Sequence, residues 1–138
     1  MSNPTPQATL EWAADLRFNA AVGPHTLILD GERKAGCSPT EALMLALAGC
    51  MAIDVVDILG KMRTAPRAVR AQISGTRADT PPRRFTRLEL HFEIAGAGAG
   101  VEETQAERAI ALSREKYCSV WHSLRQDIEL KVTYHLEK

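Results

Sequence analysis

The stretch SPTEALMLALAGCMAIDVVDILGKMR, residues 38–63, decides the fold. It opens as a helix should. Ser38 can cap, Pro39 suits the first helical position, and Glu41 follows Ser38 by three residues, the spacing of a capping box. Leu43, Met44, Leu45, Leu47, Met51, Ile53, Val55, Val56, Ile58 and Leu59 then leave no polar face. The pattern predicts a helix buried on most of its circumference. Asp54 and Asp57 interrupt it too strongly for a membrane span. Ala46, Ala48 and Gly49 would admit a closely packed neighbour, and Gly49 costs about 1 kcal/mol against alanine in a helix interior. Cys50 places a thiol in the middle of this helix, with the Asp54 carboxylate one turn on.

Composition sets the outer limits. A chain of 138 residues is expected to form a single domain, 1–138, with a real core and a frayed start over residues 1–8. Lys+Arg and Asp+Glu are both 17, so the formal charge is zero. A dedicated nucleic-acid surface should be markedly basic, and none is expected. The opening residues, MSNPTPQATLEW, carry neither a basic region nor an apolar one, which makes the cytoplasm the expected compartment. Three cysteines do not describe a disulfide scaffold. In a reducing compartment they favour free, metal-bound or catalytic thiols.

Outward from the helix, alternation predicts strands. Residues 9–30 divide at Asp15-Leu16-Arg17 and at Gly23-Pro24 into a three-stranded antiparallel meander. A polar loop, ERKAGC, leads from Asp30-Gly31 to the helix. After Thr64-Ala65-Pro66, Val69, Ala71 and Ile73 oppose Arg70, Gln72 and Ser74, while Leu88, Leu90, Phe92 and Ile94 oppose Arg87, Glu89, His91 and Glu93. Each strand has one wet face, as in an antiparallel pair. AGAGAG, residues 95–100, reads as a flexible linker without the lysine of a phosphate loop. Glu102 and Glu103 open a second helix, with Ala106, Ala109, Ile110 and Ser113 on one stripe, running to about Tyr117. CSVWHSLR, residues 118–125, predicts a re-initiated helix, and residues 128–136 a last strand. The order βββ-α-ββ-α(α)-β implies an α+β fold with antiparallel sheets.

Several residues carry possible chemistry. Cys50 is either a small core hydrophobe or an activated thiol. Asp54 would raise its pKa, so activation needs a cation from elsewhere. Cys118 has His122 four residues on and lies near a helix start, though Tyr117, Val120 and Trp121 around it read as core. Cys37 sits in a polar loop and is expected to be incidental. Cys37, Cys50, Cys118 and His122 supply metal-ligand types but no closely spaced cysteine pair, so no metal site is expected. Asp57 can reach Lys61 at i+4, whereas Asp54 has no local cation and should pair across an interface or with backbone. His25, His91 and His135 read as solvent-facing strand residues.

The central helix, SPTEALMLALAGC with its continuation AIDVVDILGKMR, and the later EKYCSVWHSL together resemble the OsmC/Ohr family of small thiol-dependent proteins. The resemblance covers roughly residues 30–137. It implies an intertwined homodimer, with two long central helices and antiparallel sheets outside. It implies a cysteine-pair peroxidase that needs no cofactor: Cys50 attacks an organic hydroperoxide, Cys118 resolves the product as a disulfide, and a dithiol reductant restores both. An arginine from the N-terminal strands, matched here by Arg17 or Arg33, and a glutamate at the start of the first helix would hold the thiolate. The family glutamate comes ten residues before the cysteine, where this chain has Thr40; Glu41 comes nine before. One residue turns a helical side chain by about 100°. The cysteines therefore favour the peroxidase, and the shift favours an alternative: a non-catalytic protein holding a small hydrophobic ligand in the dimer cleft.

Overall fold

The computed structural model describes residues 7–96 and 100–137. The expected fraying of residues 1–8 falls largely outside them, as does the middle of the AGAGAG run. The chain divides into two compact units, Met1–Leu43 and Met44–Lys138.

The first unit is the expected meander. Strands β1 (Thr9–Ala14), β2 (Arg17–Val22) and β3 (His25–Asp30) pair antiparallel in chain order. Asp15 (φ 49°) and Gly23 (φ 57°) take left-handed conformations in the two turns, and glycine is the residue that adopts this without a Cβ penalty. Loop 31–38 is organised by the buried Asp30 carboxylate. Oδ1 accepts the Glu32 N–H (2.8 Å), and Oδ2 accepts the N–H groups of Lys34 (3.2 Å) and Ala35 (3.0 Å). The Asp30 N–H in turn donates to the Cys37 carbonyl at 3.0 Å, which closes the loop at the foot of the helix.

Helix α1 (Pro39–Lys61) begins in this unit with the capping box in place. The Ser38 N–H donates to Glu41 Oε1 (2.9 Å), and the Glu41 N–H donates to Ser38 Oγ (3.3 Å). The helix ends where Arg63 turns left-handed (φ 61°) and the Thr64 N–H reaches back to the Leu59 carbonyl at 2.9 Å, the Schellman arrangement.

The second unit holds the core. Strands β4 (Pro66–Arg77) and β5 (Phe85–Gly96) pair antiparallel, and β6 (Glu129–Glu137) lies on the other side of β5. Strand β5 takes in Ala95 and Gly96, the first two residues of the run read as a linker. Alternate residues Leu88, Leu90, Phe92 and Ile94 of β5 are buried with Leu47, Met51, Val55 and Leu59 of α1 in one cluster. Each fully buried side chain of this kind stabilises by about 1.5–3 kcal/mol.

Three expectations are corrected. Strand β6 runs parallel to β5, because the intervening helical segment carries the chain back before it rejoins the sheet, so the sheet is mixed. Only one helix is long: α2 (Glu103–Leu112) stops after ten residues, widens into a π-helical turn (Ser113–Tyr117), and a single turn, α3 (Ser119–His122), follows. Finally, α1 is not buried all round. Its buried residues are Leu47, Ala48, Met51, Val55 and Leu59, a single stripe, while Ile53 is 71% and Leu45 61% exposed. A Cβ built on Gly49 would meet nothing within 4 Å. By length and composition α1 could cross a membrane, yet its buried stripe belongs to the core of the unit.

Candidate functional site: a buried cysteine pair

The second unit brings Cys50 and Cys118 together. Cys50 is half-buried on α1, and Cys118 is fully buried at the cap of α3. Both are free thiols. Their placement follows from local rules. Cys50 lies three residues after Leu47 and one before Met51, beside the buried stripe of α1. Cys118 leaves the helical region (φ −74°, ψ 97°), so its side chain occupies the N-cap position, where Sγ accepts the Trp121 N–H at 3.4 Å.

The electrostatics of this pair run against thiolate formation at Cys118. Burial pushes its thiol up to about 11, opposed by the Trp121 N–H and reinforced by the neighbouring Cys50 thiol and Asp54 carboxylate. Desolvation disfavours the charged form, and a second thiol and a carboxylate nearby add to the cost.

Asp54 finds a partner that the sequence reading did not name. It was expected to need a cation or backbone; instead Ser113 Oγ donates to its Oδ2 at 2.7 Å. Ser113 is fully buried, and its carbonyl accepts the Cys118 N–H, also at 2.7 Å. The signal was available in two halves: an orphan aspartate in an apolar helix, and a serine on the apolar stripe of the next. Asp57 and Lys61 form the expected pair at 2.9 Å.

The other candidates lie in the first unit. Glu41 closes the capping box through Oε1, and its Oε2 is 3.5 Å from Arg33 Nη1. The Ser38 N–H, Ser38 Oγ and Arg33 hold its pKa below the usual carboxylate value. Arg33 adopts φ 57° in the Asp30 loop and its side chain is 67% exposed. Arg17 stands opposite Asp30 across β2 and β3 and is half-buried; its Nε is enclosed without a hydrogen-bond partner among the described residues. Arg33 is thus the arginine that touches Glu41, while Arg17 is the arginine with an unused donor. Cys37 is half-buried and bridges to Leu29. Among the described residues no three His, Cys, Asp or Glu side chains converge on a metal-sized position.

Known proteins share this architecture. The family model for OsmC-like protein matches residues 30–133. Protein YhfA of Escherichia coli K12 is 33% identical over 132 residues, covering 94% of this chain and 97% of its own. A hypothetical protein from Aquifex aeolicus superposes with a TM-score of 0.88 at 25% identity, covering 98% of each chain. An organic hydroperoxide resistance protein OsmC from Legionella pneumophila superposes with a TM-score of 0.70 at 17% identity, covering 97% of this chain and 98% of the other, a likeness of fold. By residues matched and by fold, the chain belongs to the OsmC-like protein family.

Proposed function

We propose that the protein is a thiol-dependent peroxidase acting on organic hydroperoxides. The observation that carries the reading is the pairing of two free thiols, Cys50 on a long helix and a buried Cys118, in one core cluster. The Cys50 thiolate attacks the distal oxygen of the hydroperoxide. The O–O bond breaks, the alkoxide leaves and takes a proton, and Cys50 becomes a sulfenic acid. The Cys118 sulfur then attacks the Cys50 sulfur; a disulfide forms and water leaves. A dithiol donor returns both electrons and both protons.

The pair divides these roles by environment. A buried thiol pushed upward stays protonated and is a poor first nucleophile, so peroxide selects Cys50. The cation that the first step requires is assigned to Arg17, whose enclosed Nε has no hydrogen-bond partner among the described residues. Arg33 is largely solvated and engaged with Glu41. Glu41 serves in this reading as the residue that fixes the helix start and orients Arg33.

The working unit is proposed to be a homodimer. Leu43, Leu45, Ile53 and Val56 of α1 are exposed, as are Leu10, Trp12, Phe18, Leu27 and Ile28 of the meander. Apolar patches of this extent mark interaction surfaces. The helix is apolar on the face that the chain leaves open, Gly49 is open on it, and the formal charge of zero sets up no repulsion between copies. A second copy of this chain is therefore the assigned occupant. The function is tested by hydroperoxide consumption in the presence of dithiothreitol: turnover by the parent protein supports it, and its absence refutes it.

A further inference from the structure

Ser113 faces two ways. Its hydroxyl donates to Asp54 Oδ2 on α1 (2.7 Å), and its carbonyl accepts the Cys118 N–H (2.7 Å). Asp54 lies one helical turn beyond Cys50. A short chain of contacts therefore runs from Asp54, one turn of α1 beyond Cys50, across to Ser113 and on to Cys118, which shares a core cluster with Cys50.

The segment that this chain anchors is unusual. Ser113–Tyr117 is a π-helical turn, a rare geometry found mostly as single turns and frequently at functional sites. Arg114 Nη2 donates to the Leu130 carbonyl (2.9 Å), and His122 Nε2 donates to the Arg114 carbonyl (3.0 Å), which secures the outer side. The inner side rests on Ser113. A buried hydroxyl bonded to a carboxylate is a costly way to fill space that an apolar pair would fill more cheaply, but it is directional. It sets where the wide turn ends, and so where Cys118 emerges.

We infer that Ser113 and Asp54 are positioning residues for disulfide formation, holding the turn that presents Cys118 Sγ to Cys50. The inference rests on the peroxidase reading only for its biological use; the positioning itself is a property of the pair. Losing it should slow S–S closure while leaving attack by Cys50 on peroxide unchanged.

Diamide separates the two. It takes two electrons and two protons from a pair of thiols and becomes a hydrazine, with no peroxide chemistry involved. In the parent protein, diamide should link Cys50 to Cys118, as read by peptide mapping. Ser113→Ala should close this disulfide about tenfold or more slowly, the scale of a misplaced reacting group. Asp54→Ala removes the same bond from the less buried side and should do the same if Ser113→Ala does not fold. Asp54→Asn keeps an acceptor oxygen and loses the charge, so it should close at least as fast as the parent. Ile94→Val, a mild truncation in the same core that leaves the Asp54–Ser113–Cys118 hydrogen bonds untouched, controls for general loosening and should close at the parent rate. The inference is overturned if Ser113→Ala and Asp54→Ala, folded by circular dichroism, close at the parent rate. It is also overturned if Ile94→Val slows as much as they do, or if diamide does not link Cys50 to Cys118 in the parent. If the parent consumes no hydroperoxide but the diamide rates order as stated, the peroxidase reading fails and the positioning inference stands.

Discussion

In the proposed cycle, the raised pKa of Cys118 makes the resolving step pH-sensitive. The perturbation is pH alone, between 7 and 10. Burial and the neighbouring Cys50 and Asp54 move the Cys118 thiol from an ordinary 9.0 to about 11. Resolution needs the Cys118 thiolate, whose fraction rises about tenfold per pH unit until the pKa is reached. At about 11 instead of 9.0, the thiol holds on the order of a hundredfold less thiolate at pH 8 than an ordinary one. The sulfenic acid at Cys50 should therefore accumulate at pH 7 and drain faster as pH rises. Stopped-flow mixing with one equivalent of cumene hydroperoxide, followed by dimedone trapping of the sulfenic acid at timed intervals, reads this lifetime. A lifetime that shortens steadily from pH 7 to 10 supports the assignment. A lifetime independent of pH over that range would show that Cys118 is already ionised or does not resolve Cys50.

Cys118→Ser should allow about one turnover and then stall with oxidised Cys50, as measured by the stoichiometry of peroxide consumed without reductant. Arg17→Ala should keep the fold and slow peroxide attack by on the order of a hundredfold, the usual scale for one preorganised charge contact, whereas Arg33→Ala should change it far less; single-turnover rates of both variants decide between the arginines. The Ala35, Glu32 and Lys34 N–H groups hold the Asp30 pKa below its ordinary value, so its contribution to stability is present above about pH 4 and is lost as pH falls through the lowered value. Asp30→Asn should lower Tm at pH 7 and lessen the difference from the parent as the pH approaches 3. Light scattering at micromolar concentration should give twice the 15.1 kDa chain mass, and Ile53→Glu, on the exposed face of α1, should return it toward one.

The local elements were legible because their signals are local. The capping box at Ser38 and Glu41, the turn at Gly23, the alternation of β4 and β5 and the Asp57–Lys61 pair all depend on residues within a few positions of one another. Cys50 and Cys118 were paired through the family resemblance, not by spacing; in the structure both belong to or pack against one core cluster. What was not legible depends on distant or absent partners. The direction of β6 is set by the path of residues 100–128, and an alternating strand looks the same run either way. The second helix carries an apolar stripe through Ser113, but the stripe does not reveal that the backbone widens there to place Ser113 against Asp54. The all-round apolarity of α1 read as burial, yet the single chain covers only one stripe of it.

The central claim is that Cys50 is the thiol that meets the peroxide, and it is tested most directly by replacing it. Parent protein and Cys50→Ser are each mixed with cumene hydroperoxide and dithiothreitol, peroxide loss is followed over time, and the oxidised parent is mapped by peptide mass. The account expects multiple turnovers by the parent through a disulfide joining Cys50 and Cys118, and no loss above the reductant background with Cys50→Ser. Equal consumption by the two proteins would contradict it and turn attention to the apolar face of α1 as a site for a small hydrophobic ligand.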